Sequence, residues 1–286
     1  MSIEREQIPR ETIEDIAYLS RSGNRIRILD TLTEGPYSRR ELEECTEASR
    51  TTLDRIVKEL EERGWAERTT NGDYVATSVG THLVAQLMLF IDSVTAIRQL
   101  GEAVEWLPDD KLSIGLHHFS DAFVRRPEQG DPIETGEYFL ELFRDTREFR
   151  VLTNLAAPGP VARKLRERIV AGEMTAECVI TRDVVELNRR NTERSARWRD
   201  MVQAGADVFA HSGPIPCNMY IFDDIVLIKK GGPKPINDAY GVPIQSENEA
   251  VLSWGHSLID ECRADATRVD AETFRDGVST QGTESH

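Results

Sequence analysis

The feature that most constrains the fold is one apolar stripe in the segment between residues 49 and 64. Its members recur at the i, i+3, i+4, i+7 spacing that places them on one face of an α-helix. Ser49 is a favourable N-cap residue, and Gly64 stands where a glycine commonly ends a helix. The sequence therefore predicts a helix that buries one face and exposes the other. The members of the stripe are Leu53, Ile56, Val57 and Leu60.

Two shorter helices are predicted before this one. The first ends before Gly35–Pro36, and the second begins at Ser38. Ser38 and Glu41 form the S-x-x-E pattern of a capping box, in which each side chain accepts a hydrogen bond from the other residue's amide. We expect Leu42 and Cys45 of the second helix to face inward.

A hairpin is predicted directly after the third helix. Asn71–Gly72 separates two short strand-like runs, which is the strongest local signal for a β-hairpin. A hairpin that follows a helix with an exposed polar face is the wing of a winged helix-turn-helix module. We therefore predict such a module over residues 10–77.

The exposed face of the third helix carries hydroxyls and cations near its N-terminus. A recognition helix presents such groups to base edges and phosphates in the major groove of DNA. The alternative is a protein-interaction module with a solvated charged face, and Glu59, Glu61 and Glu62 make the C-terminal half a poor DNA surface. We favour DNA binding. The predicted contacts are Arg39, Arg40, Ser49, Arg50, Thr51, Thr52, Arg55, Lys58 and Asn71.

This part of the chain resembles the archaeal winged helix-turn-helix regulators. The resemblance lies in residues 24–32, 38–42 and 49–53, and in the helix-end, glycine and wing junction of residues 57–65. It covers about a quarter of the chain, and its motifs are specific to the superfamily rather than to one regulator. The resemblance implies double-stranded DNA as a partner.

Residues 78–107 are predicted to form one long linker helix. Its apolar residues alternate spacings of four and three, as in a coiled-coil seam. Two interpretations stay open, namely a helix that packs on its own domain and a seam between two copies of the chain. The dimer would suit palindromic DNA with two half-sites. The seam residues are Leu83, Leu87, Phe90, Val94 and Ile97.

The residues after the linker alternate between strand-like and helix-like patterns, which predicts an α/β sandwich with a mixed sheet over residues 110–268. The fold class of the whole chain is therefore α+β. Residues 270–286 are polar and are predicted to be disordered. The predicted strands are residues 112–116, 149–153, 176–181, 206–211, 219–222 and 225–229, and the predicted helices are residues 135–145, 160–172, 184–204 and 246–264.

The C-terminal domain resembles the effector domain of the methanogenesis-regulator family. The resemblance lies in residues 219–227, 240–246 and 250–255. That family is similar to the sugar-sensing TrmB-like regulators, whose sensor domain resembles the phospholipase D fold. The enzymatic branch of that fold uses the motif H-x-K-x4-D.

At the matching positions this chain has Pro216 and Asn218, and only Asp223 fits. Without the histidine nucleophile the covalent phosphoryl intermediate cannot form. The resemblance therefore implies a catalytically dead sensor domain, and we predict that the chain is not an enzyme.

A sensor domain needs a ligand site. Turns after strands are the usual binding sites in open α/β sheets, and Arg182 would suit a phosphate or a carboxylate. We predict an unidentified small-molecule effector that changes DNA binding, without a cofactor. The candidate effector residues are Asn154, Thr181, Arg182, Asp183, Asn218 and Asp223.

The charge of the chain indicates the environment in which the protein works. The chain has 50 acidic residues against 35 Lys plus Arg, a net charge of −15, and only six lysines. Such a surface suits a cytosol with very high salt, where screening reduces self-repulsion, and indicates a halophilic archaeon. We expect a cytoplasmic protein, because no signal peptide and no apolar run long enough for a membrane span are evident.

Neither the histidines nor the four cysteines show metal-ligand spacing, so no metal site is predicted. The cysteines are expected to be isolated core thiols, with redox sensing by Cys178 and Cys217 left open.

Together these features predict a homodimeric DNA-binding transcription regulator whose C-terminal domain senses a small metabolite. The alternative is a constitutive DNA-binding scaffold whose C-terminal domain docks a protein. A ligand-shaped pocket would favour the sensor.

Overall fold

The computed structural model describes residues 8–46, 48–126, 132–231 and 242–275. Predictions that fall on residues 232–241 and 276–286 lie outside this range. The chain divides into two compact units, Met1–Ile91 and Asp92–His286. Helices and strands occur in both units, as the predicted α+β class requires.

The first unit contains four helices, a two-stranded hairpin and the start of a fifth helix. The helix Arg10–Ser20 was not predicted, and it adds Tyr18 and Leu19 to the core. The elements are α1 (Arg10–Ser20), α2 (Gly23–Thr31), α3 (Arg39–Thr46), α4 (Arg50–Glu62), β1 (Ala66–Arg68), β2 (Tyr74–Ala76) and α5 (Ser78–Leu100).

The predicted helix caps are confirmed. The Ser38 amide donates to Glu41 Oε2 at 2.8 Å, and the Glu41 amide donates to Ser38 Oγ at 3.4 Å. The Ser49 hydroxyl accepts from the Thr52 amide at the start of α4. Gly64 ends α4 with a φ of 70°, a left-handed conformation that glycine adopts without strain. These local bonds set both ends of α4.

The apolar stripe of α4 is buried as predicted, and it forms the centre of the first core. Cys45, in contrast, is exposed, so the expectation that it faces inward was wrong. Thr46 takes the inward position instead, because it lies one full turn after Leu42. Its buried hydroxyl is satisfied by the Leu42 carbonyl oxygen at 2.6 Å.

The predicted hairpin is confirmed, with Arg68 opposite Tyr74 and a positive φ at Gly72. Tyr37 exchanges two 2.8 Å backbone hydrogen bonds with Tyr74 and so ties the chain before α3 to the hairpin. The start of α5 lies directly against Trp65, the residue before β1. A Cβ at Gly80 would be 2.0 Å from the Trp65 carbonyl oxygen, so only glycine fits there.

The linker is shorter than predicted. The α-helix α5 ends at Leu100, and Gly101–Trp106 forms a 3-10 helix. Gly101 has a φ of 55°, which interrupts the α-helical path.

Contrary to the expectation from sequence, the stretch Ser78–Trp106 is long and apolar enough to cross a bilayer by length and composition. The stretch contains the charged residues Asp92 and Arg98. Length and apolar composition alone are weak evidence for a membrane span.

The second unit is built on one mixed sheet of eight strands. The strands are β3 (Phe123–Val124), β4 (Glu148–Thr153), β5 (Thr175–Thr181), β6 (Asp207–His211), β7 (Cys217–Phe222), β8 (Ile225–Lys230), β9 (Ile244–Ser246) and β10 (Thr267–Arg268). Their order in the sheet is β10-β6-β5-β4-β7-β8-β9-β3, in which β4, β5 and β6 are parallel. The helices are α6 (Pro132–Asp145), α7 (Gly159–Val170), α8 (Arg182–Arg189), α9 (Thr192–Gln203) and α10 (Glu249–Ala264).

The sheet separates two apolar cores. Strand residues such as Val151 and Tyr220 point to a core shared with α6, α7 and α9, and we call this side of the sheet the α7 face. Their neighbours Leu152 and Met219 point to a core shared with α10, and we call this side of the sheet the α10 face. The strict alternation of a strand produces this division.

Two predicted elements of the second unit are wrong. Residues 112–116 are not a strand, because the Leu112 amide closes a turn on the Pro108 carbonyl. The predicted helix over residues 184–204 is two helices, because Asn191 caps a new helix by accepting from the Arg194 amide at 2.9 Å. The short strands β3, β9 and β10 were not predicted.

The expectation of disorder from residue 270 is also wrong for the described part. Residues Ala271–Phe274 form a 3-10 helix, and Phe274 is fully buried. Its ring stacks on Trp198 with the centroids 5.8 Å apart, which anchors this end of the chain to α9.

Candidate nucleic-acid interface and candidate ligand cavity

The outward face of α4 presents Arg50, Thr51, Arg55 and Lys58 to solvent. Ser49 and Thr52 lie at the start of the helix, where Ser49 Oγ is 2.9 Å from Thr52 Oγ1. Both hydroxyls are thus engaged in the cap. Arg50 lies in the first turn of α4 and Arg55 in the second, near the positive helix end that adds to the attraction for anions, whereas Lys58 lies further along the helix.

Several of the predicted DNA contacts form ion pairs in the free protein. The pairs are Arg39–Asp54 at 2.6 Å, Arg40–Glu44 at 3.0 Å, Arg50–Glu43 at 3.9 Å and Lys58–Glu62 at 3.7 Å. For Arg55 no ion pair is found among the described residues. Exposed pairs of this kind contribute about 0–1 kcal/mol each, so a phosphate can replace the carboxylate at little cost.

One of the acidic residues that weakened the DNA interpretation has an internal role. Glu59 accepts from Arg25 at 3.2 Å, and the Arg25 guanidinium lies 4.0 Å from the centroid of the Tyr18 ring. Arg63 lies 4.2 Å from the same ring. Burial raises the pKa of Tyr18, which keeps the ring neutral between the two cations. Glu59 therefore serves the packing of α1, α2 and α4.

The hairpin tip adds one cation that the sequence interpretation missed. Asn71 is exposed at the turn, as predicted. Arg68 donates to the Gly72 carbonyl oxygen at 3.0 Å, and its guanidinium is 5.4 Å from the Tyr74 ring centroid. The available signal was the position of an arginine just before the Asn–Gly turn.

The predicted seam of α5 divides into two parts. Leu87 is buried in the first core and Leu83 is packed against it, so these two residues serve their own unit. Phe90, Val94 and Ile97 are 61%, 37% and 44% exposed and follow one another at spacings of four and three on one helix. The exposed stripe thus begins about two turns later than predicted.

The predicted effector residues do not gather at one site. Asn154 directly follows β4, Thr181 is the last residue of β5, and Arg182 directly follows it. Asp223 lies in the β7–β8 turn at the opposite edge of the sheet, where its carboxylate accepts from the amides of Arg147 and Glu148. Arg182 and Asp183 are exposed at the start of α8.

Asn218 is buried and structural. Its Oδ1 accepts from the Asn154 amide at 2.9 Å and from the Thr153 hydroxyl at 2.7 Å, and its Nδ2 donates to the Lys230 carbonyl oxygen. These bonds join β4, β7 and β8. No group on Asn218 is placed to act as a nucleophile.

A cavity of about 60 Å³ lies within the α7 face of the sheet. Its wall is formed by β4, β5 and β7 on one side and by α6, α7 and α9 on the other. The sequence could not indicate this cavity, because its wall depends on how three helices cover one sheet face. The lining residues that matter below are Gly136, Thr153, Ala157, Cys178, Trp198 and Tyr220.

Cys178 and Cys217 are not arranged for redox pairing. Cys178 faces the α7 core, whereas Cys217 faces the α10 core, so the sheet separates the two thiols. Burial raises the pKa of each thiol to about 12. Among the described residues no group of His, Cys, Asp and Glu is arranged to hold a metal ion.

Comparison with protein families matches both parts of the chain. Residues 13–99 match the family described as the HVO_A0261 N-terminal domain. Residues 132–265, from α6 to the end of α10, match the middle domain of the methanogenesis regulatory protein FilR1. The chain therefore carries, one after the other, segments similar to these two domains. The predicted resemblance of the C-terminal domain to the methanogenesis regulators is thereby confirmed.

Solved structures resemble the chain only weakly. The archaeal chromatin protein TrmBL2, described as having a novel mode of DNA binding, is 14% identical, with 91% of this chain and 100% of that chain covered and a TM-score of 0.36. The methyltransferase CalO1 of calicheamicin biosynthesis is 14% identical, with 71% and 81% covered and a TM-score of 0.20. Scores this low support no conclusion. No curated protein matches the chain.

Proposed function

We propose that the chain is a DNA-binding transcription regulator in which α3, α4 and the β1–β2 hairpin form a winged helix-turn-helix. The observation that carries this proposal is the outward face of α4, which begins at a capped N-terminus and exposes Arg50, Thr51, Arg55 and Lys58. Arg68 and Asn71 extend the surface along the hairpin. Such a face suits the major groove, and the hairpin suits the adjacent backbone.

The acidity of the whole chain does not contradict this proposal. A net charge of −15 keeps the protein soluble, and DNA contacts depend on the local cluster of cations on α4. Carboxylates such as Asp54 and Glu43 already neutralise some of these cations. We therefore expect affinity that depends on base contacts as well as on phosphate charge.

We further propose that two copies of the chain pair through α5. An exposed stripe of Phe90, Val94 and Ile97 on a continuous helix is the kind of surface that an antiparallel or parallel partner helix covers. A second copy is the occupant that matches a regulator of palindromic sites, because two-fold protein symmetry places two recognition helices on two half-sites.

The pairing is tested by sedimentation of Val94→Asp. A buried charge in the seam weakens the dimer, so the variant should sediment as a monomer at concentrations where the native chain is a dimer. Val170→Asp is the matched control, because Val170 is an exposed valine on α7. A native chain that is monomeric throughout, or a Val94→Asp dimer as stable as the native one, would refute the seam.

The C-terminal domain is proposed to bind a small effector that changes DNA affinity. The cavity in the α7 face supports a sensor over a protein-docking scaffold. The likeness to a phospholipase D-like fold remains a prediction. Asn218 stands where that fold's enzymes carry lysine and is tied into the sheet, which supports binding rather than catalysis.

DNA binding is tested with Arg50→Ala/Arg55→Ala on the chain's own upstream region and on genomic fragments in concentrated KCl. Each base-contacting arginine contributes about 1–3 kcal/mol, so the variant should lose roughly 100-fold in specific affinity. Arg189→Ala/Arg190→Ala removes the same charge from α8 and its C-cap and should bind like the native chain. Equal loss in both double variants, or no specific binding by the native chain, would overturn the proposal.

A further inference from the structure

The cavity in the α7 face is almost wholly apolar. Aliphatic and aromatic side chains from three strands and three helices enclose a volume of about 60 Å³. No charged side chain is among the described residues that line it. Protein cores are normally packed without voids of this size, and an empty apolar void forfeits dispersion contacts with every residue that lines it.

The cavity reaches the surface between the start of α6 and the loop that follows β4. Ala157, which lines it, is exposed, and Gly136 and Pro158 are half-buried. Among the described residues, this part of the lining carries no long side chain.

The hydrogen bonds at the inner wall define what the cavity offers to a ligand. The Asn154 amide can only donate, so its acceptor on Asn218 is the side-chain oxygen. The Thr153 hydroxyl must then donate its single hydrogen to that oxygen, at 2.7 Å. Thr153 Oγ1 also accepts from the Leu155 amide at 3.0 Å. The Tyr220 hydroxyl therefore donates to Thr153 Oγ1, at 3.1 Å.

This assignment leaves the Tyr220 oxygen as an acceptor at the cavity wall. Its hydrogen is used on Thr153, so the oxygen can accept from a ligand but cannot donate to one. Burial raises the pKa of Tyr220 to about 12, and the ring therefore stays neutral. The remaining lining would penalise any charged group, because burying an unpaired charge is costly.

We propose that the cavity binds a small, mainly apolar molecule that carries one hydrogen-bond donor, and that this donor bonds to the Tyr220 oxygen. A phenol-like compound with a single ring has this chemistry. The inference deepens the proposed function, because it names the class of effector that the C-terminal domain takes. It replaces the phosphate or carboxylate that Arg182 suggested, since Arg182 is exposed and does not line the cavity.

The position of the cavity explains how occupancy would reach the rest of the domain. Phe139 of α6, Val161 of α7 and Trp198 of α9 all line it, so a ligand contacts three helices at once. Trp198 also stacks on Phe274. A ligand that fills the cavity would therefore change the fluorescence of Trp198, which provides a direct signal.

The test is a titration of the full chain, without DNA, with phenol and with toluene, two probes of nearly the same shape. Trp198 fluorescence reports binding, and Trp198→Phe identifies the signal. Both probes should bind the native chain. In Tyr220→Phe, phenol should weaken relative to toluene by about three- to tenfold, the usual contribution of one hydrogen bond.

Ala157→Phe, which fills the entrance, should abolish binding of both probes, whereas Ala204→Phe at the exposed end of α9 should not. The proposal is overturned if neither probe binds at saturating concentration, if Ala157→Phe binds normally, or if Tyr220→Phe leaves the ratio of the two dissociation constants unchanged. Because DNA is absent, these results are independent of whether α4 binds DNA.

Discussion

The two faces of the eight-stranded sheet are packed differently, although the same strands supply both. On the α10 face, Leu152, Met219 and Ile228 are fully buried beneath one long helix. That helix approaches so closely at Gly255 that an added Cβ would lie 2.8 Å from the Met219 sulfur. On the α7 face, three shorter helices cover the strands and leave the cavity between them.

The faces also differ in their charges. The edge of the α10 face holds a cluster in which Arg150 donates to Glu177 and to Asp260, and Arg263 donates to the second oxygen of Glu177. Arg150 is only 12% exposed. On the α10 face, close packing and ion pairs therefore hold the sheet against α10, whereas the α7 face is packed less closely and contains a cavity.

The largest expected effect compares one substitution on the two faces. Leu258→Ala in α10 removes a side chain from a closely packed site, and we expect a loss of about 4 kcal/mol in the free energy of unfolding. Leu165→Ala in α7 removes a side chain that already borders a cavity, and should cost about 2–3 kcal/mol. Denaturant unfolding measures both. Equal costs would mean that the two faces are packed alike.

The second effect concerns the charge cluster. Glu177→Gln leaves Arg150 and Arg263 with a neutral partner in a half-buried setting, so we expect a loss of about 2 kcal/mol in stability. The matched control is Glu186→Gln, which affects an exposed pair with Arg189 and should change stability by less than about 0.5 kcal/mol. Thermal unfolding at high salt distinguishes them. If the two variants were equally stable, the cluster would not fasten the α10 face.

The smallest effect is a pH dependence at His256, whose Nδ1 lies 2.8 Å from the Arg150 guanidinium. Burial, and then the charge of Arg150, hold the pKa of His256 below its usual value. Between that lowered pKa and the ordinary one of about 6.5, the unfolded chain binds more protons than the folded chain. Stability should therefore fall as the pH drops below about 6.5, the ordinary histidine pKa.

His256→Gln should remove that part of the pH dependence while stability at pH 8 changes little. Its effect should be smaller than those of the two substitutions above. Measurement of unfolding between pH 5 and pH 8 checks it. An unchanged slope in the variant would assign the pH dependence to other groups.

Local signals in the sequence predicted the first unit well. The stripe of α4, the capping box at Ser38 and the Asn71–Gly72 turn each depend on residues close together in the chain, and the structure confirms all three. The prediction for Cys45 was wrong because either of two neighbouring positions of α3 could have faced the core. Thr46 could bury its hydroxyl by bonding within the helix.

The second unit was harder to predict, because its decisive features are not local. The break at Asn191 contains neither glycine nor proline, and the short strands β3, β9 and β10 exist only through pairing with other strands. The cavity arises from the fit of helices to the sheet. Tyr220 therefore gave no signal in the sequence, whereas Arg182, which the sequence did single out, is exposed and lies outside the lining of the cavity.

The DNA-binding surface is the central claim, and hydrogen exchange on the full chain with and without a bound genomic fragment tests it most directly. The account predicts that DNA slows exchange in residues 39–55 and 66–74, and that Arg50→Ala/Arg55→Ala abolishes this protection. Protection confined to the sheet of the second unit, with α4 and the hairpin unchanged, would contradict the account.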